Sequence, residues 1–251
     1  DFGLFQFVSF LFISIAWTVG NGWYAYVSVF TGYTPDHECD LSQMGGNLTS
    51  LPLNHSLLTD SDDPESVKNC WAYNSILNQT VKCTHWKFDK SQMHSTIITE
   101  YGFVCDKNYY FEMAYSLEQI GYIVGTLVFS FIADLVGRKP VMVAVLWSMS
   151  ICGFVQYFVD NFIVYIIVGF VINSVACGLE AVCVTLVLEM FSTSKRTIFG
   201  VGIQVVWVIV LASMSPLAYF VKLWREIRLI IFATLAVLSI FSSFLVQESI
   251  R

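Results

Sequence analysis

A glutamate deep inside a long apolar run is the residue of this sequence best placed to do chemistry. Glu180 lies within the run 162–188, nine residues before Glu189, with no lysine or arginine between Phe162 and Met190. In a helix, nine residues correspond to about 13 Å of depth. An acid at that depth costs about 2.5 to 3.5 kcal/mol on insertion scales, so we expect it to face a bundle interior or a watery cavity.

Glu180 shares one helical face with Asn173 and Cys177, which precede it by seven and three residues. One interpretation is a protonated structural glutamate, hydrogen-bonded to a neighbouring helix, because burial without a partner disfavours the charged form. The other is an anchor for a cationic solute or a proton-coupling group. The sequence leaves both interpretations open.

Aromatic side chains in the first apolar run predict a second wall of the same cavity. Trp17, Asn21 and Tyr24 follow the i, i+4, i+7 spacing of one helical face. Aromatic faces attract alkylammonium groups through the ring quadrupole, whereas helix packing beside an outer aromatic belt is the alternative. The predicted solute-binding set is Trp17, Asn21, Tyr24, Tyr122, Asn173, Glu180, Gln204 and Trp207.

The stretch 134–139, DLVGRK, places charges between two apolar runs, where the chain leaves hydrocarbon, turns and enters it again. Gly137 permits a tight reversal, and Pro140 suits the first turn of the next helix because the amide hydrogen it lacks would have no partner there. Acids and bases at such a turn can pair across helices and form an ionic latch. The predicted latch consists of Asp134, Gly137, Arg138, Lys139, Glu189, Arg196, Glu248 and Arg251.

The elements that position these residues are apolar helices. Of 251 residues, 56% are hydrophobic and 13% charged, and the mean hydropathy is +0.64, which indicates an all-α polytopic membrane protein. The first span is too long for a signal peptide, and because the chain begins on Asp1 we expect the natural start to lie upstream. The predicted spans are about 5–30, 110–133, 141–159, 162–188, 198–220 and 229–246.

A polar segment, 31–108, separates the first two spans and is predicted to be an extracellular glycosylated loop. It carries N-x-S/T sequons at Asn47, Asn54 and Asn78. Four cysteines in an oxidising compartment predict two disulfides of open pairing, so we expect no zinc at the neighbouring histidines and no metal elsewhere. The four cysteines are Cys39, Cys70, Cys83 and Cys105.

The charge of the chain is also concentrated in this loop. The net charge is −6, and most of it comes from the loop's acids, so a basic nucleic-acid footprint is absent.

An outside loop places the N-terminus and the turns at 134–139 and 195–196 in the cytoplasm. It also puts Lys222, Arg225 and Arg228 in a short outer loop, and we expect Glu118 to reach water at the outer interface. Gly121 and Gly125 form a small-xxx-small pair for close helix packing.

Several motifs resemble those of the organic cation, anion and carnitine transporter family of the major facilitator superfamily. They are FTGYTPDHEC at 30–39, WKFDKSQMHSTIITEYGFVC at 86–105, GTLVFSFIADLVGRK at 125–139, LEMFSTSKR at 188–196, LAYFVKLWR at 217–225 and QESIR at 247–251. The chain departs from the family pattern at Ser130 in place of glycine, at Tyr165 in place of arginine, and at Gln247 and Ile250 in place of prolines. Glu180 occupies a position that is usually aromatic.

This resemblance implies the N-terminal six-helix half of a plasma-membrane transporter that works by alternating access, with a missing C-terminal half as its partner. It implies that the substrates are small organic ions, most of all organic cations or zwitterions such as carnitine-like solutes. It also implies that the latch is the cytoplasmic gate and that the helices lie in the lipid bilayer. No cofactor or enzyme activity is implied. A transport-inactive subunit that kept the fold for a structural or assembly role is the alternative.

Overall fold

The computed structural model describes residues 3–44, 48–50 and 69–245. The chain divides into a membrane unit, formed by residues 1–30 and 112–251, and a loop unit, formed by residues 31–111. Each unit is described by itself. Within these described ranges, six helices are long and apolar enough to cross a membrane, as the sequence predicts.

The six membrane helices are labelled α1 to α6 in chain order. Helix α1 comprises Leu4–Trp17, a π-helical turn at Thr18–Trp23, and Tyr24–Thr31. Helices α2, α3 and α4 span Tyr109–Val136, Arg138–Tyr157 and Phe162–Met190. Helix α5 spans Thr193–Ala212 and continues as Met214–Phe220, and α6 spans Trp224–Leu245.

The helix boundaries follow local backbone chemistry. Gly137 has φ 110° before α3, a conformation that side chains rarely adopt, so α2 can reverse directly into α3. Asn161 caps α4 by accepting a hydrogen bond from the Ile163 amide at 2.9 Å. Helix α5 breaks at Ser213, three residues before Pro216, whose missing amide hydrogen and ring disfavour a continuous helix.

Two predicted boundaries are corrected by the structure, and the first is the start of α5, which is Thr193 and not residue 198. Helix α6 begins at Trp224, earlier than the predicted start at residue 229. Arg225 and Arg228 therefore lie in the helix rather than in an outer loop. Arg225 donates hydrogen bonds to the Tyr157 carbonyl and to Asp160, both at 2.8 Å, and so joins the end of α3 to the start of α6.

Helices α2 and α4 approach each other at small residues, as the glycine spacing predicts. A Cβ atom on Gly121 would lie 2.5 Å from the Phe170 carbonyl oxygen, and one on Gly125 would overlap the backbone of Ser174. Only glycine fits at these positions while the two helices stay in contact. This contact brings the polar side chains of α2 to α4.

The loop unit contains two small antiparallel sheets. Strands β1, His37–Cys39, and β5, Trp86–Phe88, form one sheet, and β2, Leu48–Ser50, β3, Trp71–Asn74, and β4, Gln79–Lys82, form the other. Disulfides join Cys39 to Cys83 and Cys70 to Cys105, which selects one of the three pairings the sequence left open. Among the described residues, short helices also lie at Leu41–Met44 and Ile97–Tyr101.

Candidate functional site

A cavity of about 590 Å³ opens inside the membrane unit, between α1, α2, α4 and α5. Such a volume suits a small organic molecule. Seven of the eight predicted solute-binding residues line it, and the eighth, Tyr24, does not. The lining residues are Trp17, Asn21, Ala25, Gln119, Tyr122, Asn173, Glu180, Val184, Gln204 and Trp207.

Glu180 supplies the acidic group of this cavity. Its Oε2 accepts a hydrogen bond from Asn21 Nδ2 at 2.7 Å and another from the Tyr122 hydroxyl. These donors from α1 and α2 orient the carboxylate across the space between three helices. The described residues that line the cavity include no lysine or arginine. The Glu180 carboxylate is the one formally charged group among them, so the site is electrostatically suited to a cation.

Aromatic rings form the opposite side of the cavity. Trp17 and Trp207 lie with their ring centroids 4.5 Å apart at an interplanar angle of 40°. The Trp23 indole nitrogen donates to the Val210 carbonyl oxygen at 2.8 Å, which fastens α1 to α5 beside them. The resulting combination of an acid and indole faces can bind an alkylammonium group.

The structure corrects the prediction for Tyr24. Its side chain is 5% exposed, and its ring lies 5.9 Å from the Phe232 ring on α6. The reason is the π-helical turn at Thr18–Trp23, because i→i+5 hydrogen bonds insert one extra residue into the turn. Asn21 is consequently followed on the cavity wall by Ala25 and not by Tyr24.

The structure also corrects the prediction for Glu118. It does not reach water, since it is 6% exposed and accepts a hydrogen bond from Asn173 Nδ2 at 3.3 Å. Its carboxylate packs against Gly169, where a Cβ atom would collide with it. Asn173 thus lines the cavity and also contacts a buried acid. Cys177, one turn further along α4, contacts Thr126 instead, with 2.8 Å between Sγ and Oγ1.

Three lining residues were missed at the sequence level. Gln119 lies three residues before Tyr122, so the two share a face of α2, and this spacing could have identified Gln119. Ala25 and Val184 carry no polar group. Nothing in their chemistry distinguishes them from ordinary packing residues.

The charged turn, 134–139, joins the end of α2 to the start of α3. An ion pair connects it to the end of α4. Arg138 forms an ion pair with Glu189, which joins α3 and α4 at one end of the bundle. Asp134 and Arg196 are exposed and Lys139 is half-buried. Two further members of the predicted latch, Glu248 and Arg251, lie outside the described residues.

The predicted glycosylation positions and the histidines at which no zinc is expected fall in the loop unit. Asn78 is exposed in the β3–β4 hairpin with φ 49°, whereas Asn47 and Asn54 lie outside the described residues. His37 lies within 4.8 Å of Cys70 and Cys105, but these two are joined in a disulfide, so neither sulfur is a thiolate ligand.

Two aspartates of the loop unit accept hydrogen bonds from nearby serines. The hydrogen bonds from Ser42 to Asp40 and from Ser91 to Asp89 hold the pKa of each aspartate below its usual value.

Comparison with known proteins gives results that agree with this arrangement. The profile of the "Sugar (and other) transporter" family matches residues 69–251. Rat "Solute carrier family 22 member 6" is 26% identical over 238 residues, which cover 88% of this chain and 42% of the relative.

Two fruit-fly proteins are similar at the same level. An "Organic cation transporter-like protein" is 24% identical over 239 residues, which cover 91% of this chain and 42% of that protein. A "Beta-alanine transporter" is 24% identical over 279 residues, which cover 98% of this chain and 46% of that protein. The chain therefore spans less than half the length of these relatives.

Proposed function

The chain belongs to the sugar (and other) transporter family, and from that premise we propose that it takes part in alternating-access transport of small organic ions. Its six membrane helices form the N-terminal half of a major facilitator fold. A second six-helix half would close the cavity from the opposite side and complete the carrier. Organic cations, or zwitterions such as carnitine-like solutes, are the substrates that this half favours.

The observation that carries this proposal is the acid of the cavity. Glu180 faces the cavity with Trp17, Tyr122 and Trp207 around it, and its lining includes no basic residue. A carboxylate binds the ammonium group, and aromatic rings cover the methyl or methylene groups beside it. The names of two relatives, an organic cation transporter-like protein and a beta-alanine transporter, support a positively charged group on the solute.

The inner end of the bundle supplies the gate in this proposal. The Arg138–Glu189 ion pair would hold α3 and α4 together in one state and part in the other. In the complete carrier, three further charged residues would join this ion pair, because they lie close to it in sequence: Asp134, Lys139 and Arg196. For a monovalent cation, the membrane potential supplies about 2.3 kcal/mol per charge per 100 mV, which corresponds to roughly fifty-fold accumulation.

We place the protein in the plasma membrane with the loop unit outside. Two disulfides and an exposed sequon at Asn78 support this location, because both modifications occur along the secretory route. Under this orientation the Arg138–Glu189 pair lies on the cytoplasmic side.

The test is uptake by cells that express the complete protein, with labelled organic cations, carnitine and organic anions as the panel. We expect Glu180→Gln to raise the KM for cations about tenfold or more, because a charge-assisted contact contributes about 1.5 to 3 kcal/mol. Glu112→Gln, an exposed acid on α2, is the matched control and should leave uptake unchanged.

Two outcomes would contradict the proposal. If the unmodified protein reaches the cell surface but transports nothing on the panel, the transport-inactive subunit becomes the better description. If uptake occurs but Glu180→Gln behaves like Glu112→Gln, Glu180 is not the cation anchor.

A further inference from the structure

Two charged side chains are buried in the membrane unit away from Glu180. Among the described residues, Glu118 on α2 and Arg228 on α6 are the acidic and basic side chains with the least exposure, each 6%. Burying a lone ion in hydrocarbon or in a helix bundle is costly, and removing one partner of a buried pair is more costly than replacing both. Two such ions in one bundle therefore call for a common explanation.

Arg228 lies among aromatic rings. Its guanidinium carbon is 5.0 Å from the centroid of the Tyr165 ring and 5.9 Å from those of Tyr24 and Trp224. Its Nη1 donates to Gln156 Oε1 at 2.8 Å, and Gln156 Nε2 donates in turn to the Tyr165 carbonyl oxygen at 3.3 Å. These contacts hold the cation against the first turn of α4.

Glu118 lies against the next turn of the same helix. Its carboxylate packs on Gly169, four residues after Tyr165, and four helical residues rise about 6 Å. The residues that the two ions contact, Gly169 for Glu118 and Tyr165 for Arg228, therefore lie on successive turns of α4. Tyr24, which the π-helical turn takes out of the cavity, lies beside Arg228, with 5.9 Å between its ring centroid and the guanidinium carbon.

Glu118 is also connected to the cavity wall. Asn173 Nδ2 donates to Glu118 Oε2 at 3.3 Å and to the Gly169 carbonyl oxygen at 3.4 Å. With its amide hydrogens used in this way, Asn173 has its carbonyl oxygen left as an acceptor, and Asn173 lines the cavity. The buried acid therefore helps to fix the amide group of a residue that lines the cavity.

We propose that Glu118 and Arg228 form a charge-compensated pair that holds α2, α4 and α6 together and positions Asn173 for solute binding. Glu118 is a positioning residue in this scheme, because it acts on the solute through Asn173. The part that concerns the solute rests on the proposed transport function, whereas the charge pair itself does not.

The test uses the complete protein in cells, with the surface amount measured by biotinylation and KM by cation uptake. Glu118→Gln and Arg228→Gln, made singly, should each lower the surface amount about tenfold or more, because each leaves one buried ion uncompensated. The double variant E118Q/R228Q should return it to within about twofold. Glu112→Gln and Glu226→Gln, exposed acids on α2 and α6, are the controls.

A second double variant separates positioning from pairing. E118L/R228L removes both ions and also the oxygen that accepts from Asn173, so the surface amount should recover while the KM rises about fivefold. E118Q/R228Q keeps an accepting oxygen and should keep the KM within about twofold of the unmodified protein. This difference in KM is a readout that a purely structural pair would not produce.

Each result decides a part of the proposal. Single variants that match their controls in surface amount, or a double variant that recovers nothing, overturn the pair. An E118L/R228L protein with an unchanged KM overturns the positioning of Asn173. If the unmodified protein shows no uptake, the proposed transport function fails, and the surface amounts still decide the charge pair.

Discussion

Glu118 and Glu180 are glutamates in the apolar part of one helix bundle, yet their surroundings differ. Glu118 is 6% exposed and packs on Gly169, one helical turn from Tyr165, whose ring Arg228 contacts. Glu180 is half-buried, accepts hydrogen bonds from neutral donors on α1 and α2, and faces a cavity whose lining includes no basic residue.

This difference teaches how a membrane protein separates two uses of the same side chain. An acid with a cation nearby has its charge compensated inside the protein and can contribute to the fold. An acid with neutral donors keeps a net charge that an incoming solute can compensate. Sequence position alone does not distinguish the two, since both lie in apolar runs.

The largest expected effect comes from breaking the helix contact that both glutamates share. Gly125→Ala would drive a methyl group into the backbone of Ser174, and α2 would have to leave α4. We expect the surface amount to fall about tenfold or more, because overpacking of this kind costs about 1 to 3 kcal/mol. Gly200→Ala, whose nearest neighbour would be Leu188 at 3.6 Å, should be tolerated. A Gly125→Ala protein with normal surface amount would contradict this account of the contact.

A smaller effect should follow from removing an aromatic ring on the Glu180 side alone. Trp207→Ala deletes the ring whose centroid lies 4.5 Å from that of Trp17, and we expect the KM for cations to rise about fivefold to tenfold. The surface amount should stay normal, because the Glu118 side is untouched. Trp147→Ala, at an exposed position of α3, is the control for loss of a tryptophan. Equal KM values for the two variants would remove Trp207 from the site.

Reversing a charge at the inner end tests the proposed gate, the Arg138–Glu189 pair, which is separate from Glu118 and Glu180. Arg138→Glu opposes the acid of Glu189, whose side chain is 38% exposed. We expect uptake of every transported solute to slow about threefold to fivefold at constant KM, because partly exposed pairs contribute up to about 1 kcal/mol. The swapped variant R138E/E189R should restore the rate. A change confined to one solute would indicate a binding effect instead.

The smallest effect should come from one hydrogen-bond donor to Glu180. Tyr122→Phe removes the hydroxyl group that donates to the carboxylate and keeps the ring. We expect the KM for cations to rise about twofold to fivefold, in line with about 0.5 to 1 kcal/mol for one hydrogen bond. Tyr115→Phe, on α2 outside the cavity lining, should change nothing. A fall in surface amount with Tyr122→Phe would instead make Tyr122 a structural residue.

Composition and periodicity were sufficient to predict the six membrane helices. Long apolar runs bounded by charges and turns leave few alternatives in a bilayer, because backbone polar groups must be satisfied within the segment. The starts of α5 and α6 are the exceptions, because both lie earlier in the chain than predicted. Arg225 and Arg228 were placed in a loop because they are basic, whereas the structure shows Arg225 bonded to α3 and Arg228 buried among aromatic rings.

Most of the cavity lining could be predicted from polar and aromatic residues spaced on helical faces. Regular helical spacing gives the wrong position for Tyr24, because the π-helical turn places its ring beside Arg228 and not in the cavity. The prediction also failed for Glu118, because the partner that makes burial tolerable is remote in sequence. Tyr165 offered a clue, since it replaces an arginine of the family pattern and the structure brings Arg228 to its ring.

The π-helical turn at Thr18–Trp23 has a consequence for how members of this family are compared. If a relative has a regular first helix, a gapless alignment pairs each residue after the turn with one that faces a different direction. Tyr24 would then be matched to a substrate contact that it does not make, and Ala25 to a packing position. Mutational data from such a relative should therefore be transferred to this helix with one position of offset beyond Trp23.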